Sequence, residues 1–325
     1  HPHCRRQRQM CIRDSSAGVF SGLTCQLAWM LVAENPNNEL NLQLHTINKT
    51  SAWGNHFLDY EPSGRTYLES SSCDNYEEVL GENVLLKFFK ESNLINTNII
   101  ESTYLESNPI DTEDAFIKEY PSYLKFGGKG CYKEQFSDLD SLKVVVESLN
   151  RQWNKLEFTD RFAKLAKKEE SLIFGKKVLS IMLRTTPHYI DPRTNRPLTD
   201  PNYVMECAIQ SVKNKIDDYD SVLIVTQIQP FVDRFVQEFG SKCIFTERQR
   251  LKTDADWKGG RSDAHYQMTD KEYELEYQNV LLDVLLASKT DHILGSTSNM
   301  FMGALIMNPN ITFGSIEKLS DFGGA

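Results

Sequence analysis

A chain of 325 residues, 40% hydrophobic and 25% charged with 17 Gly and 11 Pro, has an ordinary globular composition, which excludes collagenous, mucin-like and disordered classes. Its length suggests roughly two domains, and its net charge of −9 argues against duplex DNA or RNA as a partner, because affinity for the phosphate backbone comes from clustered Lys and Arg. The longest apolar runs, Gln26–Ala33 and Val280–Ala287, fall short of the about 20 apolar residues that a bilayer span needs, so no membrane segment is expected.

His1–Ser15 is basic, lacks hydrophobic periodicity and resembles translated adapter sequence; it is taken as non-native and set aside. Leu23–Glu34 is apolar enough for a buried helix and stops at Asn35-Pro36-Asn37-Asn38. Glu39–Thr46 alternates Leu40, Leu42 and Leu44 with polar residues, the period of a strand with one covered face. From Asn48 to Gly130 little regular pattern is legible. Asp138–Lys168 carries Leu139, Leu142, Val145, Val146 and Leu149 at helical spacing.

In the second half, strand and helix alternate. Val178–Arg184 is a strand candidate, Tyr203–Lys215 helical, and Ser221–Thr226 a short apolar strand. Pro230–Phe239 is a helix with Pro in its first turn and Gly240 past its end, followed by a strand at Lys242–Phe245. Glu272–Ser288 is a strongly apolar helix, His292–Gly295 a strand and Asn299–Met307 a final helix. Such alternation predicts a parallel sheet with helices on both faces, a Rossmann-like α/β domain. The expected division is 16–170 as one domain and 171–325 as the other. The second ends at Gly323-Gly324-Ala325 without a closing helix, as a truncated domain would.

Ligands of such sheets bind beyond the carboxyl ends of the strands. That rule singles out Gly295-Ser296-Thr297-Ser298-Asn299, where N–H groups and hydroxyls at a helix start suit an anion, although the same residues are also ordinary N-caps. It also singles out Arg184, which can hold a pyrophosphate bidentately or form a plain surface ion pair. Asp283, amid Leu281, Leu282, Val284 and Leu285, is costly to bury unless it is paired; a base with two N–H donors would suit it, as would a partner in the core. Gly22 and Cys25 lie in a turn that opens the first helix. Seven Cys at irregular positions, with no C-x-x-C and no Cys/His set at zinc spacing, describe neither a metal site nor a disulfide scaffold, and they leave the redox compartment and localisation open.

Leu281–Asn299 (LLDVLLASKTDHILGSTSN) resembles the donor-site segment of the fucosyltransferase superfamily, which includes α-1,6-fucosyltransferases, nodulation fucosyltransferases and protein O-fucosyltransferases. Val178–Arg184 is similar to the family strand ending in H-x-R, Gly22–Leu27 to its Gly-x-x-Cys-Gln-Leu turn, and Phe231–Gly240 followed by Ile244–Arg250 to its central helix and strand. The resemblance implies a GT-B-like fold, two Rossmann-like domains facing a cleft, with 16–170 on the acceptor side and 171–325 binding the donor. It implies metal-independent, inverting transfer of a sugar, fucose above all, from a GDP-sugar to a glycan or protein hydroxyl. No cofactor is implied besides the donor GDP-fucose. In that frame Arg184 matches the pyrophosphate-binding Arg, Asp283 the base-binding carboxylate and Ser298 a phosphate-binding hydroxyl, with Gly22, Cys25, Ser296, Thr297 and Asn299 around the donor. Met182 stands where the family often has His, so base contacts differ here. The family's acidic residue after the Arg is displaced, which leaves His188 and Asp191 as the candidates for removing the acceptor proton. A related transferase with another donor and a noncatalytic nucleotide- or sugar-binding relative are the alternatives.

Overall fold

The computed structural model describes Leu23, Leu27 and residues 87–90, 139–184, 189–191, 196–253, 257–258, 261–262, 270–296 and 298–321. These residues divide into two compact units. Leu23, Leu27, 87–90, 151–163 and 270–278 belong to the first, and the remainder to the second.

In the first unit Leu23 and Leu27 are helical and buried, one turn apart. The rest of the helix expected at Leu23–Glu34 and the strand expected at Glu39–Thr46 lie outside the described residues. An aromatic cluster forms the local core: Phe88 stacks on Tyr277 at 5.2 Å and meets the edge of Phe162 at 5.3 Å, while Phe89 meets Trp153 edge-on at 5.9 Å. Its backbone is pinned where Lys90 N–H donates to the Glu157 carbonyl and Thr159 N–H to that of Phe88, both at 2.8 Å. That pairing explains why the helical stretch expected over Asp138–Lys168 is two helices, α1 (Leu139–Trp153) and α2 (Asp160–Glu170). Residues 157–159 form an extended bridge instead, and the Thr159 hydroxyl then caps α2 by accepting from Phe162 N–H.

The second unit is built on a five-stranded sheet. Its strands are β1 (Val178–Met182), β4 (Ser221–Val225), β5 (Cys243–Ile244), β8 (His292–Gly295) and β9 (Thr312–Ser315), in the order β5-β4-β1-β8-β9, with every neighbour parallel. Both β1 and β4 are buried at all five positions, as a sheet covered on both faces requires. Helices α3 (Pro201–Lys213), α4 (Gln229–Phe239), α5 (Asp270–Ala287) and α6 (Asn299–Met307) connect them. Leu179, Ile181 and Leu183 pack into one core cluster with Val204, Ala208 and Val212 of α3 and Phe231, Val232 and Phe235 of α4.

Local chemistry sets the ends of these helices. The Asp200 carboxylate accepts from Asn202 N–H ahead of Pro201 at the start of α3, and Gly240, at φ 56°, stops α4 in a conformation that side chains disfavour. Helix α6 is apolar all round and buried from Phe301 to Ile306, so it belongs to the interior. Edge strand β9 has no counterpart among the sequence expectations. Nor do the small antiparallel sheet of β2 (Tyr189–Asp191), β3 (Arg196–Pro197) and β10 (Ser320–Asp321) and the hairpin of β6 (Trp257–Lys258) and β7 (Arg261–Ser262). Strands of two or three residues are too short to show a hydrophobic period. Among the described residues no helix is long and apolar enough to cross a membrane.

Two predictions follow from packing. A Cβ at Gly295 would sit 2.5 Å from the Phe301 ring, so Gly295→Ala should destabilise the second unit by about 1–3 kcal/mol in urea unfolding. Burial, aided by the charge of Lys215, holds the His292 imidazole below its ordinary pKa. The unfolded chain therefore takes up that proton first, and stability drops as pH falls through about 6.5 and below. The difference in Tm between about pH 7.5 and pH 5.5 should narrow in His292→Gln.

Candidate functional site at the carboxyl ends of the strands

Register brings three strand ends into one row, because Met182 of β1 is paired with Val225 of β4 on one side and Gly295 of β8 on the other. Counted within the sheet, the order is 3-2-1-4-5, and the direction of winding reverses between β1 and β8. Ligands of doubly wound sheets occupy the crevice at this reversal. The residues that follow the two strands there are Leu183-Arg184 and Ser296.

Arg184 is half-buried, and its backbone N–H donates to the hydroxyl of fully buried Tyr189 at 3.1 Å, which fixes the path of the chain as it leaves β1. Asp191 lies two residues further on, at the end of β2, opposite Arg196. His188 lies outside the described residues, as do Gly22, Cys25 and Thr297.

On the other side of the reversal the chain turns from β8 into α6 over three residues. Gly295 gives the Phe301 ring room against the strand end. The Ser296 hydroxyl is buried and has no hydrogen-bond partner among the described residues. Ser298 caps α6, its side chain accepting from Phe301 N–H at 3.1 Å. That contact leaves the hydroxyl proton of Ser298 free to donate elsewhere. Asn299 opens the helix, where backbone N–H groups precede the intrahelical ladder and the helix dipole favours an anion.

Asp283 sits elsewhere on the same edge. It is 2% exposed, on α5, and engages the segment that follows β5. The Thr246 hydroxyl donates to Oδ1 at 2.6 Å, and Arg248 Nη2 lies 2.8 Å from Oδ2, with the two charged side chains 1% and 2% exposed. The same Nη2 donates to the Thr226 carbonyl at 2.9 Å. Arg250 reaches the Thr226 carbonyl through Nε at 3.3 Å and that of Thr246 through Nη2 at 2.7 Å. Leu251 and Gln227 complete the stitching through a 2.8 Å backbone bond. Asp283 thus has a charged partner in the core, the alternative its apolar surroundings left open.

The solved structures that the chain resembles include fucosyltransferase NodZ from Bradyrhizobium, at 11% identity and TM-score 0.41, over 78% of this chain and 86% of that one. NodZ alpha-1,6-fucosyltransferase soaked with GDP-fucose matches at 10% identity and TM-score 0.38 over 55% of this chain, and POFUT1 in complex with GDP at 13% and 0.32 over 54%. The chain spans about half the length of these last two, 54% and 50%. No family model matches the chain, and no curated protein does.

The structure therefore brings Met182, Arg184, Ser296, Ser298 and Asn299 to adjacent strand ends and ties Asp283 to the β5 side. Thr226, Thr246, Arg248 and Arg250 were not singled out from sequence. Their signal was a polar residue just past each apolar strand, Thr226 after Ser221–Val225 and Thr246 shortly after Cys243–Ile244. Desolvation raises the pKa of the buried Cys207 thiol and pushes that of half-buried Cys243 up to about 11, so both stay protonated near neutrality. Among the described residues no group of three His, Cys, Asp or Glu side chains could hold a metal ion.

Removing one member of a buried ion pair strands the other, so Asp283→Ala should cost about 3–5 kcal/mol of stability. Replacing both, as Asp283→Leu with Arg248→Met, should recover most of that loss in denaturant titration. A loss in the double variant equal to the sum of the losses of Asp283→Leu and Arg248→Met alone would show that the pair is not coupled.

Proposed function

We propose that the chain is a glycosyltransferase of the fucosyltransferase type, moving a sugar, fucose above all, from a GDP-sugar to a hydroxyl of a glycan or protein. The reading is carried by one observation: Arg184 and the buried Ser296 hydroxyl, which has no hydrogen-bond partner among the described residues, flank the point where the winding of the sheet reverses, with the start of α6 beside them. The segment whose sequence resembles a donor site, Leu281–Asn299, supplies the last two turns of α5, strand β8 and the turn into α6, so the resemblance falls on the elements that border this edge.

The chemistry needs what those residues offer. As the acceptor oxygen attacks the anomeric carbon, the bond from that carbon to phosphate breaks and the diphosphate leaves with the electron pair, so negative charge grows on its oxygens. Arg184 can take that charge bidentately, while Ser296, Ser298 and the first N–H groups of α6 donate to the phosphates. A donor aimed at such developing charge is typically worth about 3 to 4 kcal/mol. The proton of the acceptor hydroxyl goes to a base, for which His188 and Asp191, just past Arg184, are the candidates. Inversion follows from this single displacement, and the two sets of donors take the part that a metal ion plays elsewhere.

Calorimetric titration of the full chain with GDP should show binding, and GDP-fucose should be turned over. Arg184→Ala should lower turnover by about a hundredfold or more. Turnover unchanged in that variant would remove Arg184 from the reaction, and a folded chain that binds no nucleotide would overturn the proposal.

A further inference from the structure

The turn between α2 and β1 carries Phe174, which is 86% exposed. Exposure of one apolar side chain would mean little by itself. What singles this one out is the backbone beneath it. Ser171 bonds the Lys168 carbonyl through both its N–H, at 3.2 Å, and its hydroxyl, at 2.6 Å. Leu172 and Ile173 N–H donate to the carbonyls of Glu169 and Glu170 at 3.0 and 3.1 Å, and Lys176 N–H to that of Ile173 at 3.2 Å. Gly175, at φ 72°, reverses the chain in a conformation that a side chain would disfavour. Ile173 is buried while Phe174 next to it is not, so an ordered turn anchors one apolar side chain and holds the other out in water.

The charge around that ring is one-sided. Lys164, Lys167 and Lys168 are exposed and lie on the side of α2 opposite its buried Phe162 and Ala166, as the helical period dictates. Lys176 Nζ donates to the Leu172 carbonyl at 3.0 Å, which keeps its ammonium on the same turn as Phe174. Lys177 is taken up elsewhere: its ammonium sits 5.0 Å from the centre of the Tyr219 ring, and its backbone N–H donates to Asp220 at 2.8 Å. The acidic residues over 164–177 are Glu169 and Glu170, and the second is ion-paired with Lys289. A locally cationic surface has thus been built on a chain whose net charge is −9.

We propose that the α2–β1 turn and the lysine face of α2 form a docking surface for an anionic lipid bilayer, with Phe174 entering the headgroup boundary and Lys164, Lys167, Lys168 and Lys176 facing the lipid charges. The shape selects the partner. A ring that projects from a turn needs a pocket in any protein it meets, whereas a fluid bilayer yields to it without one. Lysine stems can lie along the apolar boundary while their ammonium groups stay with the headgroups, and one apolar insertion combined with a basic patch supplies the two signals that stable attachment requires. The turn leads into the amino end of β1, and the candidate site lies at the carboxyl ends of the strands, so a chain docked in this way turns that site away from the lipid. None of the residues assigned to the sugar donor takes part.

The test is cosedimentation of the full chain with vesicles of phosphatidylcholine, with and without phosphatidylserine, each protein checked for folding by circular dichroism. Wild type should partition at least about tenfold better onto the phosphatidylserine vesicles, and the preference should vanish as salt is raised and the lysines are screened. Phe174→Ala should weaken that partition by about tenfold. Lys164→Glu, Lys167→Glu and Lys168→Glu together should reduce it to the level seen on phosphatidylcholine, and both variants should keep the response of wild type to GDP. In Phe174→Trp, phosphatidylserine vesicles should add a blue shift of emission beyond that of wild type. Indifference of wild type to phosphatidylserine would overturn the inference. Vesicle binding unchanged in the two variants, as basic Arg5, Arg6 and Arg8 would give, would overturn it too. Binding of soluble polyglutamate as tight as that of vesicles, and insensitive to Phe174→Ala, would make the partner an acidic protein and overturn the lipid assignment. Failure to bind GDP would remove the donor-site reading and leave this one standing.

Discussion

The candidate site depends first on the register of β1. This strand is paired on both sides, and the pairing sets Met182 level with Val225 and with Gly295. A slip of one residue would turn Leu179, Ile181 and Leu183 out of the core they share with α3 and α4, and would exchange them for Val178, Ser180 and Met182. The hydrophobic cost of that exchange keeps the strand in place, and in doing so it places Arg184 two residues beyond the edge and Ser296 one residue beyond it. Functional geometry is here a by-product of core packing. No side chain at the edge has to hold the row together.

The second constraint is electrostatic. A buried carboxylate and a buried guanidinium each lose their hydration, and their mutual attraction in general does little more than offset that loss. An apolar pair of similar shape would serve stability as well. What Asp283 and Arg248 provide that an apolar pair would not is directionality: through Thr246 and Thr226 they tie α5 to the residues after β4 and β5 with contacts that tolerate little displacement. Arg250, with its guanidinium 5.6 Å from the centre of the Phe245 ring and its nitrogens on the carbonyls of Thr226 and Thr246, reinforces the same seam. Loops at the end of a parallel sheet are usually the least ordered part of it, and this seam ties one of them to α5 through directed contacts.

How far the sequence disclosed this follows from what leaves a period in it. His292–Gly295 and Asn299–Met307 are found at the bounds expected of them, because a short apolar strand, a Gly-Ser turn and a capped apolar helix each carry a local signal. Val178–Met182 and Ser221–Val225 are legible for the same reason, as continuous apolar runs. The break between α1 and α2 left no such mark: Leu156 and Phe158 continue the apolar pattern, and only the pairing of 157–159 with 88–90, about 70 residues away, takes them out of the helix. The partners of Asp283 were hidden likewise. The cost of burying that carboxylate could be read from its neighbours, but nothing local says that the compensating charge comes from position 248, since contacts between distant segments are products of the topology.

Net charge misleads about what this edge can bind. The chain is acidic overall, at −9, yet the described charged side chains following β1, β4 and β5 include Arg184, Arg248 and Arg250, and the carboxylate of Asp283 directly balances one of them. A ligand feels the charges within about a Debye length, roughly 8 to 10 Å in ordinary salt, more than it feels the sum over the molecule. An acidic body with basic strand ends repels polyanions such as nucleic acid from most of its surface, while a compact diphosphate that reaches the right edge meets guanidinium groups and a helix start. The charge that argues against a phosphate backbone as partner is therefore compatible with a phosphate ligand, and local arrangement decides between them.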